Sequence, residues 1–386
     1  MTSLRRIIRG PSGQRFGHLV GRAGRRKSNR LIDWLVPMPP NIPLDAVTDV
    51  RSVLLVRPNF RIGNTLFTTP LVPALRERFP NARLEMLTGD TTTSLLAHLP
   101  IDDIHTVSRF HVLFPWRFVA LFLRLRRARF DVAVEAGRGS FSGALYAFLS
   151  GARYRIGSAG RGDRFLNVRL PKLPVAHAYD GAAGFARSLG ASCADRPVYR
   201  VSPAEDAEAV RILAELGLVD GDTVRPFLAV FVGGHLDKRW PRSRWLALVR
   251  ELERLGVTFA VFLGPEEITF DAELHAELGS TARVLKPRPL RTFAALLACA
   301  RAVITPDSGP MHLAAALGVP VIALLQMKSS EFYRPRGPQD RALLNATVEM
   351  AVAEVTALRD SGTLPTESGV DRVPRSEADR DKGGRQ

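Results

Sequence analysis

The sequence predicts an α/β protein with two domains, each containing a parallel β-sheet covered by helices on both faces. Short apolar runs alternate with helical stretches along most of the chain, which is typical of such sheets. The alternation weakens between about 191 and 225 and then restarts. With 386 residues, of which 46% are hydrophobic, the chain is long enough for two separate cores.

The elements follow from this pattern in chain order. Strands are expected at 53–58, 83–89, 130–137, 153–158, 225–234, 257–263, 283–285, 302–305 and 320–325. A helix is expected from the break at 59–64 through Arg78, and a polar helix at 203–216. The chain is predicted to begin with a basic arm and proline-rich linker at 1–50. Two domains follow at 51–200 and 225–345, separated by a linker helix region at 201–224. A C-terminal helix at 346–360 and a disordered tail at 361–386 complete the predicted organisation.

The charge is concentrated at the N-terminus. Residues 1–30 contain nine Lys and Arg residues and no acidic residue, and subtracting those nine from the net charge of +16 leaves +7 for the rest. Such an arm suits anionic lipid or nucleic acid, with a solvated tail as the alternative. Nucleic-acid binding has no other support in the sequence. No run is long enough for a signal peptide or a membrane span.

The stretch 110–130 is rich in both aromatic and arginine residues. A helix over 115–128 would carry Trp116, Phe118 and Phe122 together with four arginines. This composition favours a helix in a membrane interface. The alternative is an ordinary helix on the sheet with its arginines extended into solvent.

Three breaks between strand and helix contain candidate binding residues, and the one at 304–325 has the chemistry of a phosphate site. At 304–325, Pro310 suits the start of a helix that Asp307 or Ser308 can cap, Gly309 permits close approach, and His312 adds a polar group. A helix N-terminus after a parallel strand attracts phosphate, although a capped helix without a ligand explains the same residues.

The other two breaks add charged side chains after neighbouring strands. Lys238 follows the strand at 225–234 and would supply a cation for a diphosphate, unless it is an ordinary surface lysine. Glu266 and Glu267 follow the strand at 257–263. They would hold ribose hydroxyls or complement a helix dipole.

At this point the sequence resembles a known family. The stretches "VLLVRPNFRIGNTLFTTPLVPALRERFPNARLEMLTG" and "TPDSGPMHLAAALGVPVIALL", with "KRWP" and "GARYRIG", closely resemble glycosyltransferase family 9, the lipopolysaccharide heptosyltransferases and their relatives. The resemblance covers roughly 51–345. It implies a GT-B fold, in which two Rossmann-like domains face a central cleft.

The resemblance also implies the chemistry and the site. The activity would be an inverting transfer without a metal or other cofactor, from a nucleotide-sugar donor, expected to be ADP-linked, to a lipid-linked glycan acceptor. Lys238 would contact the donor diphosphate, Glu266 more than Glu267 would lie near the ribose, and the donor's sugar and phosphates would be held by Asp307, Ser308, Gly309 and His312.

One position departs from the family pattern. The family usually has Ile-Gly-Asp where this chain has Ile62-Gly63-Asn64, and the Asp is the expected general base. An amide cannot accept the proton of an acceptor hydroxyl near neutral pH. Asp90 and Glu135 are the candidate substitute bases, and Arg61 and Arg138 are candidate contacts for acceptor phosphates, with surface arginines as the alternative.

We therefore predict a family 9 glycosyltransferase that transfers a sugar, with heptose favoured, to a lipopolysaccharide core or related surface glycan. It would be cytoplasmic and peripheral at the inner membrane, bound to anionic lipid through residues 1–30, with 115–128 as a second candidate. Asn64 motivates the alternative of a catalytically impaired nucleotide-sugar-binding or scaffold protein. An epimerase on the same fold is a further alternative. A nicotinamide dehydrogenase is disfavoured, because no G-x-G-x-x-G follows the first strand.

Overall fold

The computed structural model describes residues 36–108, 115–234, 236–279 and 282–364. The basic arm at 1–30 and residues 365–386 of the predicted tail lie outside this description. The structure therefore bears on the two predicted β/α domains and on the helices that follow them.

The strands of the described chain run in parallel in two large sheets, with one small antiparallel hairpin. They are β1 (Ser52–Arg57), β2 (Arg83–Gly89), β3 (Asp103–Val107), β4 (Val132–Glu135), β5 (Tyr154–Ser158), β6 (Val168–Leu170), β7 (Val219–Asp220), β8 (Thr223–Val224), β9 (Leu228–Val232), β10 (Phe259–Leu263), β11 (Val284–Leu285), β12 (Ala302–Pro306), β13 (Val321–Leu325) and β14 (Arg341–Leu344).

The helices lie between these strands, as a parallel sheet requires. They are α1 (Ile62–Leu66), α2 (Leu71–Arg78), α3 (Pro115–Ala128), α4 (Phe141–Leu149), α5 (Asp180–Ser188), α6 (Pro203–Glu215), α7 (Arg242–Arg254), α8 (Asp271–Leu278), α9 (Leu290–Ala298), α10 (Gly309–Ala316) and α11 (Val348–Asp360). Short 3₁₀ turns include Asp90–Leu96 after β2, Leu236–Lys238 after β9 and Lys328–Tyr333 after β13.

The two large sheets have the same strand order. The first is β3-β2-β1-β4-β5-β6 and the second is β11-β10-β9-β12-β13-β14. Counted from the first strand of each sheet, both orders are 3-2-1-4-5-6, the order of a Rossmann sheet. The predicted fold class of two Rossmann-like α/β sheets is therefore confirmed.

The chain also divides into two compact units. One holds the described residues through Val56 together with Val119–Lys172, and the other holds Arg57–Phe118 and the described residues from Leu173 onward. In the first unit, β1 pairs with β4, β4 with β5 and β5 with β6, all in parallel. The predicted domain boundaries remain predictions.

The second unit contains the sheet β9–β14, whose central strands are buried on both faces. Along β9, Ala229 and Phe231 belong to one apolar cluster, whereas Val230 and Val232 belong to another. Successive side chains of a strand point to opposite faces, so the continuous apolar run fills two layers of core at once. This double burial explains why the sequence pattern located these strands well.

The helix predicted from 59–64 through Arg78 is two helices. The Thr68 hydroxyl donates to the Asn64 carbonyl at 3.1 Å, and the Thr69 hydroxyl donates to the Leu66 carbonyl at 2.8 Å. Pro70 has no N–H to continue the ladder. The two threonines and the proline therefore separate α1, which ends at Leu66, from α2, which begins at Leu71.

Five short strands were not predicted, namely β3, β6, β14 and the two strands of the hairpin, β7 and β8. β3, β6 and β14 are edge strands, and β3 and β14 carry several exposed residues. Edge strands are short and polar in soluble proteins, so a search for apolar runs does not detect them.

The predicted disordered tail begins too early. Leu364 is buried in the core of the second unit, and its backbone N–H donates to the carbonyl of Leu358 at 3.1 Å. Residues 361–364 therefore fold back on the end of α11. In the part of the chain that the structure describes, no helix has the length and apolar character needed to cross a membrane.

An ion pair ties the polar helix α6 to α9. Arg291 donates from Nε and Nη2 to the Glu205 carboxylate, and Nη2 also reaches the Arg200 carbonyl at 3.0 Å. Glu205 forms a capping box with Ser202 at the start of α6. Hydrogen bonds from Arg291, followed by those from Ser202, lower the pKa of Glu205 to about 2.

Replacing Arg291 is expected to destabilise the fold through this pair. Arg291→Met should lower the free energy of unfolding by about 2 kcal/mol at pH 7, because the hydrogen bonds involve charged groups. The pKa of Glu205 is depressed from 4.5 to about 2, so its contribution is complete above about pH 4.5 and declines as the pH falls towards 2. Urea unfolding should show that the difference in the free energy of unfolding between the unaltered chain and Arg291→Met becomes smaller as the pH falls over that range.

Arg254→Met is the matched control. Arg254 is 75% exposed and pairs with Glu251 one turn away on α7. Its loss should change stability by less than about 0.5 kcal/mol. Equal effects of the two substitutions would contradict a special role for the Arg291 pair.

Candidate functional site

The N-terminus of α10 is uncapped. Ser308 occupies the N-cap position, but its side chain makes no capping hydrogen bond, and its hydroxyl lies 3.2 Å from that of Thr305. The prediction that Asp307 or Ser308 caps this helix is therefore wrong: Ser308 bonds to the preceding strand and Asp307 to a lysine. The positive end of the helix keeps its capacity for an external anion.

Lys238 and Asp307 form a partly buried ion pair beside this helix end. Lys238 Nζ lies 2.6 Å from Asp307 Oδ2, and Asp307 is only 5% exposed. Lys238 ends the 3₁₀ turn after β9, and Asp307 follows β12, the neighbouring strand. Adjacent strand ends thus hold an ammonium group at the start of α10.

His312 is buried on the first turns of α10. Burial is the main reason that the pKa of His312 falls to about 4; Lys238 and His177 add to the shift and Asp307 opposes it. The imidazole is therefore neutral at physiological pH. Its Nδ1 is buried and has no hydrogen-bond partner among the described residues. A buried polar atom without a hydrogen bond lowers the stability of a folded protein, and such atoms are typical of functional sites.

Helix α1 packs directly on α10. A Cβ atom at Gly63 would lie 2.5 Å from Cδ2 of His312, so the α1 backbone approaches the ring to a distance that only glycine permits. A Cβ atom at Gly309 would lie 3.0 Å from Ile62 Cδ1. Gly309 was predicted to admit a ligand or another backbone, and in the structure it admits α1.

An aromatic cluster packs around the contact between α1 and His312. The Phe67 ring meets the edge of His312 at 4.7 Å and stacks on Tyr333 at 6.1 Å between centroids. Tyr179 lies 5.5 Å from Phe67 on another side. Three separate segments of the chain therefore fix His312 and α1 relative to each other.

Asn64 is held by a turn of its own chain. Its Nδ2 donates to Asn59 Oδ1 at 3.3 Å, and the same oxygen accepts from the backbone N–H of Arg61 at 2.8 Å. Because Nδ2 donates to Asn59, the side-chain oxygen Oδ1 is the atom of the Asn64 amide that can accept a hydrogen bond from a ligand. Asn64 follows Gly63 directly, so its position is set by the packing on His312. Arg61 is exposed at the start of α1.

Asp90 borders the same turn. A Cβ atom at Gly89 would lie 2.3 Å from the carbonyl oxygen of Asn59, and the Thr92 hydroxyl donates to that oxygen at 3.2 Å. Asp90 follows Gly89 at the end of β2 and is exposed. It is thus an accessible carboxylate next to the turn that holds Asn64.

Glu135 has a different environment from the one expected of a base. It is fully buried in the first unit, where its two carboxylate oxygens accept from the backbone N–H groups of Gly137 and Gly139. It also fills the space beside Gly143. Both oxygens are occupied in shaping the loop after β4, which holds Arg138 at a φ of 56°. The Glu135 carboxylate is therefore held by the backbone of this loop, and its role as a base stays a prediction.

The two glutamates after β10 differ in exposure. The Glu266 side chain is 67% exposed and pairs with Arg239, whereas that of Glu267 is 13% exposed and lies 3.5 Å from the same arginine. The Glu267 carboxylate lies against Gly233 and Gly264, at the ends of β9 and β10. Burial raises the pKa of Glu267, and Arg239 opposes the shift. Glu267 is therefore the more buried of the two.

The structure brings most of the predicted donor residues together in the second unit, where Lys238, Asp307, Ser308, Gly309 and His312 surround the start of α10 and α1 carries Asn64 to it. Sequence reasoning overlooked the packing role of Gly63 and the aromatic support from Phe67 and Tyr333. The glycine before Asn64 was the available signal, because a glycine inside a helix implies a close contact.

Three comparisons place the chain among known proteins. The sequence model described as Glycosyltransferase family 9 (heptosyltransferase) matches residues 118–359. Lipooligosaccharide heptosyltransferase 2 of Haemophilus influenzae is 24% identical over 328 residues, which is 79% of this chain and 91% of that protein.

Solved structures agree in fold. The glycosyl transferase family 9 protein of Veillonella parvula superposes with a TM-score of 0.70 at 18% identity, covering 81% of this chain and 98% of that one. The structure described as E. coli heptosyltransferase WaaC with ADP gives a TM-score of 0.62 at 20% identity, covering 81% and 99%. The resemblance stated from the sequence and its GT-B fold class are confirmed.

Gly63→Ala is expected to disturb the packing of α1 on α10. The added methyl group would overlap the His312 ring, and overpacking of this kind lowers the free energy of unfolding by about 1–3 kcal/mol. Urea unfolding measures the change. Gly184→Ala in α5 is the control, since its Cβ would have no neighbour closer than 3.7 Å.

The control should become more stable by about 0.5–1 kcal/mol, because alanine favours a helix. A Gly63→Ala protein as stable as Gly184→Ala would show that α1 does not depend on this contact.

Proposed function

The chain belongs to glycosyltransferase family 9, and we propose that it transfers a heptose from a nucleoside-diphosphate donor to a lipopolysaccharide core or a related surface glycan, with inversion at the anomeric carbon. The observation that carries this proposal is the pair Lys238–Asp307 at the uncapped N-terminus of α10. An ammonium group and a helix end together suit the diphosphate of a leaving group.

Each donor-side residue has a role in this reaction. Lys238 stabilises the charge that develops on the departing diphosphate, and Asp307, which is buried, positions Lys238. His312 contributes a neutral imidazole at the start of α10, so it adds no charge to the donor site. Glu267, rather than the exposed Glu266, is the better placed carboxylate for ribose hydroxyls. The relative crystallised with ADP supports an ADP-linked donor.

The proton of the acceptor hydroxyl needs a carboxylate other than residue 64. As the hydroxyl oxygen bonds to the anomeric carbon, the bond to the diphosphate breaks and the proton leaves. Asn64 orients that hydroxyl through its amide oxygen, and Asp90, exposed beside the Asn59 turn, accepts the proton. The transfer needs no metal in this scheme.

The acceptor is a lipid-linked glycan. Arg61, exposed beside Asn64, would contact acceptor phosphates. The enzyme would work in the cytoplasm at the inner membrane, with the basic arm at 1–30 attracted to anionic lipid. Heptosyltransferase relatives named for lipooligosaccharide support this choice of acceptor.

Asn64 also motivates a second candidate, a catalytically impaired protein that binds a nucleotide sugar or acts as a scaffold. General-base help contributes about 10²–10⁴-fold to a rate, so its loss would leave a slow enzyme. Such a protein would bind the donor nucleotide normally and release little product.

Binding of a nucleoside diphosphate should depend on Lys238. At about 100 times its dissociation constant a ligand adds about 2.7 kcal/mol, which raises the melting temperature by several degrees. Thermal melting with ADP, UDP and GDP should show one selective rise, with ADP expected, and Lys238→Ala should abolish it. The matched control is Lys286→Ala, which removes a surface ammonium paired with Asp271 and should preserve the rise. A rise that survives in Lys238→Ala would contradict the proposed donor site.

A further inference from the structure

Helix α3 exposes a stripe of large apolar side chains. Trp116, Val119 and Leu123 are 63%, 53% and 50% exposed. Their spacing of three and four residues puts them on one face of the helix. Exposed apolar residues that occur singly need no explanation, but a stripe on one helix does.

The opposite face fixes the rotation of this helix. Phe122 and Leu125 are buried, and the Phe122 ring stacks on Tyr146 at 5.4 Å. Arg126 Nε donates to the Leu149 carbonyl at 3.1 Å, which ties the last turn to α4. The exposed stripe therefore lies away from the core that this helix covers.

The surroundings of the stripe are strongly cationic. Arg117, Arg124, Arg127 and Arg129 are exposed on or just after α3. The sequence has no aspartate or glutamate between Asp103 and Asp131. An apolar stripe edged by arginines is the pattern of a helix that lies in the plane of a membrane interface.

We propose that this face of α3, defined by Trp116, Val119 and Leu123 with its flanking arginines, docks on an anionic phospholipid surface. The proposal rests on the proposed function, in which the acceptor is lipid-linked. Two copies of the face would repel each other through their arginines, and nucleic acid would leave the apolar stripe in water. Anionic lipid suits both the arginines and the apolar stripe, because its headgroups contact the arginines and the boundary of its acyl region accepts the three apolar side chains.

The face is too small to hold the protein at a membrane permanently. A helix of 14 residues is about 21 Å long, and only three large apolar side chains project from it. Docking should therefore be reversible and should need anionic headgroups. It would place the enzyme at the surface that contains its acceptor and still allow it to leave.

Trp116 provides a reporter that is specific for this face. The chain has four tryptophans, and Trp240 and Trp245 are 4% and 1% exposed. In a full chain carrying Trp34→Phe, fluorescence that responds to lipid therefore reports Trp116. Vesicles of phosphatidylcholine with brominated phosphatidylglycerol should quench it, and vesicles of brominated phosphatidylcholine alone should not.

Substitutions of the stripe test the apolar part. Val119→Ser with Leu123→Ser should weaken partition into the anionic vesicles by about tenfold, since buried apolar area sets the affinity of such helices. Ile268→Ser is the control, because Ile268 is equally exposed, at 50%, but lies outside this face. Vesicle binding without quenching of Trp116, or unchanged partition of the double variant, would overturn the proposal and assign binding to the arm.

A failure of the docking proposal can be distinguished from a failure of the proposed function. The double variant should keep its stabilisation by nucleoside diphosphate and its turnover on an acceptor dispersed in detergent, because none of its changes touches the donor site. Loss of both properties in the variant would also overturn the proposal, since the face would then serve folding. Absence of both in the unaltered chain, with Trp116 still quenched, would remove the proposed function and leave docking supported.

Discussion

The contact of Gly63 with the His312 ring is the constraint on which the site depends. It brings the backbone of α1 against the first turns of α10, at a distance that any side chain at position 63 would prevent. This packing places residue 64 beside the N-terminal turns of α10. The chemistry at position 64 and the uncapped end of α10 are therefore parts of one arrangement.

Burial of His312 also sets the charge of the site. Since the imidazole stays neutral, the positive charge near α10 comes from Lys238 and from the helix end. Asp307 holds the lysine in place and is itself almost fully buried. A site with one positioned ammonium and an uncapped helix end is suited to a diphosphate.

The sequence was most informative where one physical pattern dominates. Strands buried on both faces, such as β9 and β12, are mostly apolar runs, and the strand-to-helix breaks beside them contain the predicted donor residues. The edge strands lack that pattern. The pairing of Lys238 with Asp307 and the trapping of Glu135 by Gly137 and Gly139 depend on which backbone groups meet in space, so composition and spacing did not predict them.

In the proposed reaction the chain works without a carboxylate at position 64, because Asp90 accepts the proton. The decisive measurement is the turnover of Asn64→Asp and of Asp90→Asn with one ADP-linked donor and one acceptor. Asn64→Asp should stay within about tenfold of the unaltered chain, and Asp90→Asn should lower kcat by about 10²–10⁴-fold. A rise of orders of magnitude in Asn64→Asp, with no loss in Asp90→Asn, would rule out Asp90 as the base and favour the catalytically impaired protein.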